Sequence, residues 1–254
     1  MISKIKWLCL ILVLGAMLAC ADQQPRGTGS NANEPVTARA RAHTELGAAY
    51  LQQNKLEIAL DEFSQAVAIS PDYALAYNGL GLVQAALGED VEAEASFKKA
   101  IALQPNSSES HNNYGSFLCA RKRYDESIVE FLTAVKNPLY ATPNLAYANA
   151  GICADRKKDT KNAEIYLRKA LELEPLTNSA AQQLADIQFR QGDAASASKT
   201  LQNALLTNPG PETLWLGVKI ARALRDRDNE ASYALQLRKQ YPNSEQTKLL
   251  LSGK

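Results

Sequence analysis

The 254-residue chain is 46% hydrophobic and 22% charged, with a formal net charge of +1, the composition of an ordinary folded protein with ample core. Loss of a leader carrying Lys4 and Lys6 brings the charge to −1. Near-neutrality, with no basic run, gives no electrostatic basis for binding nucleic acid or an anionic membrane surface. Abundant Ala, with sparse and mostly periodic Gly and Pro, favours helices over sheet.

Residues 1–19 read as a signal peptide. Lys4 and Lys6 form a basic start, and Trp7 to Leu18 form an apolar run too short to span a bilayer but long enough for export. The run stops at Ala19-Cys20. Met17-Leu18-Ala19-Cys20 resembles a bacterial lipobox, with Met17 in place of the usual Leu. That resemblance implies lipidation of Cys20 and cleavage before it. Two rival readings are ordinary signal-peptidase cleavage near Ala19 or Ala21, and a retained signal anchor. Several acyl chains would anchor the protein stably. Ala21, rather than Asp, after Cys20 resembles the enterobacterial outer-membrane sorting pattern. Residues 20–36 are rich in Gln, Gly, Asn, Pro and Ser without apolar periodicity, and read as a flexible tether.

From residue 37 to the end the chain repeats itself. Gly47 and Gly81 lie 34 residues apart, and each is followed at the same offsets by Ala, Phe, Ala and Pro: Ala59, Phe63, Ala66, Pro71 and Ala93, Phe97, Ala100, Pro105. This resembles the tetratricopeptide (TPR) pattern, one helical hairpin per repeat. Small residues let the two helices of a hairpin approach closely, the Phe fills the gap between hairpins, and the Pro stops the second helix. The third repeat carries Gly115, Ser127, Phe131, Ala134 and Pro138. The fourth carries Gly151, Ala163, Leu167, Ala170 and Pro175, after about two inserted residues near Asn137 to Pro143. The fifth carries Ala185, Ala197, Leu201, Ala204 and Pro209. The sixth reads as a degenerate capping repeat with Trp215, Lys219 in the Gly position, Ala231, Leu235 and Pro242. The expected fold is an all-α TPR superhelix of six repeats (about 40–73, 74–107, 108–141, 144–177, 178–211 and 212–245) and about twelve helices.

No catalytic constellation is evident. His43 and His111, the only histidines, fall where other repeats place an aromatic residue, and read as half-buried packing groups. No phosphate loop appears, and Cys9, Cys20, Cys119 and Cys153 match no zinc or CxxC spacing. The expectation is no enzyme, no cofactor, no metal and no small-molecule substrate. Cys119 and Cys153 sit in adjacent repeats. They are either two small core thiols or a disulfide, and an oxidising periplasm favours the disulfide.

The TPR resemblance implies a concave groove lined by the first helix of each repeat. Leu51, Leu75, Asn78, Leu82, Ala85 and Asn112 are the candidate partner-binding residues. The alternative is that they only pack against their neighbours. The lining of the first three repeats reads as apolar and uncharged with two asparagines, without the Lys and Arg that carboxylate-binding TPR grooves use; an apolar strand or helix is the expected ligand. Glu94 reads as an isolated convex-face charge.

Two stretches beyond the TPR pattern are more specific: Asn112-Asn113-Tyr114-Gly115-Ser116-Phe117-Leu118 with Arg123-Tyr124, and Arg225-Asp226-Arg227-Asp228 with Ala231 to Leu237 and Tyr241-Pro242. With the lipobox, tether and six repeats, the chain resembles the type IV pilus biogenesis lipoproteins of the PilF/PilW family, the pilotins. The resemblance implies an outer-membrane lipoprotein facing the periplasm that helps the secretin subunit localise and multimerise. The competing reading is a TPR scaffold for another envelope assembly machine, such as that for peptidoglycan or outer-membrane proteins.

Overall fold

A computed structural model describes residues 36–253, so Cys9, Cys20, the lipobox and the tether as far as residue 35 lie outside the described residues. Val36, expected in the tether, already belongs to the first helix. The described residues form helices only: α1 Val36–Gln52, α2 Leu56–Ile69, α3 Ala74–Leu87, α4 Asp90–Leu103, α5 Ser108–Ala120, α6 Tyr124–Ala134, α7 Pro143–Arg156, α8 Thr160–Leu173, α9 Asn178–Arg190, α10 Ala194–Leu206, α11 Pro211–Leu224, α12 Arg227–Gln240 and α13 Glu245–Leu251. That is thirteen, against the twelve expected. The thirteenth packs on α11 and α12 and covers the end of the sixth hairpin. Its Ser244 cap accepts from the Thr247 amide, and the Thr247 hydroxyl donates to the Tyr241 carbonyl at 2.7 Å.

Each odd-numbered helix from α1 to α11 pairs with the next in a hairpin, and each hairpin stacks on its neighbours. Close packing at the crossing sets the sequence. Phe63, Phe97 and Phe131 are at most 2% exposed. A Cβ added to Gly81 would lie 2.7 Å from the Phe97 ring, and one on Gly115 2.9 Å from Phe131. In the fifth repeat Ala185 faces the smaller Leu201, and both are fully buried. Ser127, standing where Ala is usual, is also fully buried, and its hydroxyl donates to the Gly115 carbonyl at 2.7 Å. A buried hydroxyl is tolerated when it is so satisfied.

The turns repeat as strictly. Asn54, Gly88, Lys122, Lys158, Gly192 and Arg225 all have positive φ, and each stands seven residues after the crossing position. Before Pro71, Pro105, Pro175 and Pro242, the residues Ser70, Gln104, Glu174 and Tyr241 have φ between −129° and −146°, the extended backbone a following proline demands.

These markers correct the sixth repeat. Counting back seven from Arg225 puts Val218, not Lys219, at the crossing, and Pro242 then falls at the same offset as in the second repeat. The buried residues of α12 are Ala234 and Leu237, while the expected core positions Ala231 and Leu235 are exposed. The cause is a junction one residue shorter, Pro209-Gly210-Pro211. In this register Val218 holds the crossing position and Ala234 the Phe position, both buried, and a Cβ added to the neighbouring Gly217 would lie 3.0 Å from the Tyr233 ring.

Gly81→Ala should destabilise the protein by about 1–3 kcal/mol in urea unfolding, because Phe97 has nowhere to move. Adding Phe97→Leu recreates the native Ala185/Leu201 pair, so the double variant should lose less than the sum of the two single losses. Strict additivity would refute the size-matching account.

Candidate protein-binding groove

The first helices of successive repeats also touch each other, α1 to α3 and onward to α11, and form one continuous inner face. Of the six candidates, Leu75 is 39% exposed and Asn112 partly so. Leu51 is half-buried against the Phe63 cluster, and Leu82 and Ala85 against the Phe97 cluster. These three combine packing with a partly open surface. Asn78 is a correction: it is 4% exposed, and its carbonyl oxygen is used within the protein.

That use is part of a pattern. Asn113 Nδ2 donates to Asn78 Oδ1 at 3.3 Å, linking α3 to α5, and Asn149 Nδ2 donates to Asn112 Oδ1 at 3.1 Å, linking α5 to α7. Gln183 Nε2 donates to Asp155 at 2.8 Å, linking α7 to α9, and Thr213 Oγ1 donates to Gln182 Oε1 at 2.6 Å, linking α9 to α11. A side-chain carboxamide thus bridges each consecutive pair of inner helices from α3 to α11. The sequence showed two of these asparagines but not that they form a row, because each link joins residues 28 to 37 apart.

The inner face changes character along its length. Beyond the third repeat it is charged. Arg190 donates to both Asp155 oxygens at 2.8 and 2.9 Å and to Asp186 at 2.8 Å. Lys219 lies over the Phe189 ring at 5.7 Å, and Arg222 lies over the Trp215 ring at 5.7 Å while donating to Glu230 at 2.6 Å. The apolar, uncharged lining expected from the first three repeats therefore does not extend along the last three.

The outer face corrects Glu94. Its carboxylate receives Tyr114 Oη at 2.9 Å, Arg123 at 2.7 Å and Lys98 at 2.8 Å. Lys98 and Arg123 hold its pKa down to about 2. Glu94 is a tie between repeats two and three, not an isolated charge.

The histidines are more than packing groups. His43 Nδ1 lies 2.7 Å from Glu62, and His111 Nδ1 lies 2.5 Å from Glu130. His111 Nε2 also faces the Pro105 carbonyl at 2.9 Å, so both ring nitrogens face acceptors and the imidazolium fits best. The Glu130 hydrogen bond raises its pKa, with burial and Lys136 opposing.

Cys119 and Cys153 are joined as a disulfide between α5 and α7, with Cα atoms 5.9 Å apart.

Tetratricopeptide-repeat family models match residues 47–88, 74–107, 96–129 and 145–175. The type IV pilus assembly protein PilF of Pseudomonas aeruginosa is 31% identical over 238 residues, covering 92% of this chain and 92% of its own length. The chain belongs to the PilF/PilW family. The solved structure of Pseudomonas aeruginosa PilF superposes with a TM-score of 0.76 at 29% identity, over 87% of this chain and all of that one. PilW, a widely conserved type IV pilus biogenesis factor, superposes with a TM-score of 0.73 at 30% identity, over 84% of this chain and 98% of that one. A mitochondrial import receptor subunit, human TOM70, is 28% identical, and this chain spans only 27% of its length. This PilF/PilW-family protein therefore shares its relatives' TPR superhelix over nearly its whole described length.

Mass spectrometry without reductant should find Cys119 linked to Cys153, and reduction should cost about 2–4 kcal/mol of stability. Alkylation of both thiols in protein isolated without reductant would contradict the pairing. Protonation of His111 should also be visible. Its raised folded pKa means that its stabilising contribution is complete below pH 6.5, the ordinary His value, and fades as pH rises through the folded pKa. His111→Gln should flatten that loss, measured by urea midpoints between pH 6 and 9. An unchanged slope would show that other groups cause it.

Proposed function

We propose that this protein is an outer-membrane lipoprotein that promotes localisation and multimerisation of the type IV pilus secretin, binding the partner through the inner face of its TPR stack and not by catalysis. The observation that carries the reading is the near end-to-end relationship with PilF, a type IV pilus assembly protein. The lipobox ending at Cys20 and the Ala21 that follows supply the anchoring and sorting half. The secretin subunit is the partner, with the outer membrane engaged through the lipid alone.

The groove is suited to holding a segment of another protein. It is open at Leu75 and Asn112, and its side chains are held in place by links between repeats. A charge placed at Leu75 would have to be desolvated by any partner lying there, at a cost of about 1–3 kcal/mol.

Cys20→Ala should abolish incorporation of labelled palmitate and leave the secretin as monomers in the wrong membrane fraction; Ala21→Asp should shift the protein to the inner membrane. Leu75→Glu and Asn112→Arg should each reduce detergent-resistant secretin multimers while leaving protein level and circular dichroism unchanged. Normal multimers in both groove variants would remove the inner face from the proposal. Palmitate labelling of the Cys20→Ala protein would remove the anchor.

A further inference from the structure

The two edges of the stack differ in composition. One edge carries the turns inside the hairpins, at 53–55, 88–89, 121–123, 157–159, 191–193 and 225–226. Every one of these turns holds charge, most densely at Arg121-Lys122-Arg123 and Lys157-Lys158-Asp159. The other edge carries the links that follow each hairpin, at 70–73, 104–107, 135–142, 174–177, 207–210 and 241–244. The only charged residues of these links are Asp72, Lys136 and Glu174, and three of the links hold a half-buried tyrosine, Tyr73, Tyr140 or Tyr241. Large apolar side chains stand out along the same edge. Leu139 is 89% exposed, Leu206, the last residue of α10, 78%, and Leu176 56%.

The loops form one surface. Asn144 Nδ2 donates to Thr177 Oγ1 at 2.9 Å, Thr207 Oγ1 donates to Asn178 Oδ1 at 3.0 Å, and Tyr241 Oη donates to the Pro209 carbonyl at 3.0 Å. Asn106, Asn137, Leu139 and Tyr140 line a shallow cavity between two more of the loops.

The layout of the chain says what covers this edge. A three-residue turn folds α1 back along α2, so Val36 begins at the end where α2 finishes, on the loop edge. Sixteen residue steps separate Val36 from Cys20, and they span at most about 55 Å. A lipid on Cys20 therefore keeps its membrane within reach of the edge where the tether arrives. The charged turn edge lies one helix length further off, about 21 Å for a helix of 14 residues. Weak surface contacts count under such a tether, because association becomes intramolecular. Leucine and tyrosine with little charge are suited to the boundary between headgroups and acyl chains. Anionic lipid would call for a cluster of cations, and the loops offer one lysine against two acids.

We propose that the loop edge of repeats three to five lies on the lipid surface that carries the anchor, with Leu139, Leu176 and Leu206 reaching past the headgroups of zwitterionic phospholipid. The inner helices run from loop edge to turn edge, so they then stand upright on the membrane, with the inner face open sideways and the charged turns pointing away from the lipid. This rests on the Cys20 anchor of the proposed function, and adds a protein contact where that reading has the lipid alone.

Trp7 and Trp215 are the only tryptophans, which permits a depth measurement. Lipidated protein in a Trp7→Phe, Trp215→Phe background would be reconstituted in vesicles of phosphatidylcholine and phosphatidylethanolamine with brominated acyl chains. Single reporters would be Leu139→Trp and Leu206→Trp on the loop edge, exposed Val91→Trp on the turn edge and exposed Val129→Trp in the middle of α6. The two loop-edge reporters should shift to the blue and lose most of their emission to the bromine, while the other two should match their emission in unbrominated vesicles. Leu176→Glu with Leu206→Glu should restore the emission of Leu139→Trp, and circular dichroism verifies that each variant is folded. Added phosphatidylglycerol should not deepen the quenching. Protein that fails to float with the vesicles would refute the anchor, and this proposal with it. Protein that floats with both loop-edge reporters unquenched would overturn the proposal while keeping the anchor, and would leave the edge to a protein partner. Equal quenching of all four reporters, quenching only with phosphatidylglycerol, or quenching unmoved by the two glutamates would each overturn it as well.

Discussion

The whole stack depends on how closely two helices of a hairpin can approach at one residue. Gly81 opposite Phe97 shows the constraint: the ring occupies the space a side chain would need. Once that crossing is fixed, the left-handed residue seven positions later turns the chain into the second helix, and an extended residue before proline releases it into the next repeat. Each repeat cannot bury its apolar faces alone. Stability resides in these crossings and in the interfaces between neighbours.

This constraint explains which parts of the fold were legible in the sequence. Five repeats announce themselves because the same small and large residues recur at fixed offsets, and Pro follows each. The sixth misleads because Val218 and Ala234 stand at its crossing and Phe positions, Gly217 meets the Tyr233 ring one residue earlier, and its leading junction is one residue shorter. A reader seeking Gly, Ala and Phe then slips by one residue and assigns exposed Leu235 to the core. The left-handed Arg225 restores the register, but a non-glycine residue in that conformation leaves almost no trace in sequence. The final helix α13 was missed because its seven residues carry no repeat signature.

The inner face was legible in position but not in state. Inner-helix membership follows from repeat register, and Leu75 and Asn112 do face outward there. Whether an asparagine is free or spent depends on a partner one repeat away, which is why Asn78 was misjudged. Glu94 failed for the same reason: Arg123, 29 residues on, and Tyr114 converge on it. Polar contacts between repeats are invisible to any window shorter than the repeat, whereas apolar periodicity is not.

The junction between repeats three and four tests whether the stack acts as one body. It carries the two inserted residues, and α6 has 11 residues where α4 and α8 have 14. An irregular link of this kind would ordinarily be the weakest interface of a solenoid, the place where the groove could hinge. Here the cross-ties gather instead. The Cys119–Cys153 bond, the Asn149 to Asn112 hydrogen bond and the Lys157 to Asp125 ion pair all join α5 or α6 to α7. The exposed ion pair contributes little alone, but the covalent bond removes the hinge regardless of solvent. The inner faces on either side of the junction are therefore held together by more than packing. A partner segment that touched both halves of this face would gain from each contact only under that condition, because each contact is weak and their sum requires a scaffold that does not flex between them.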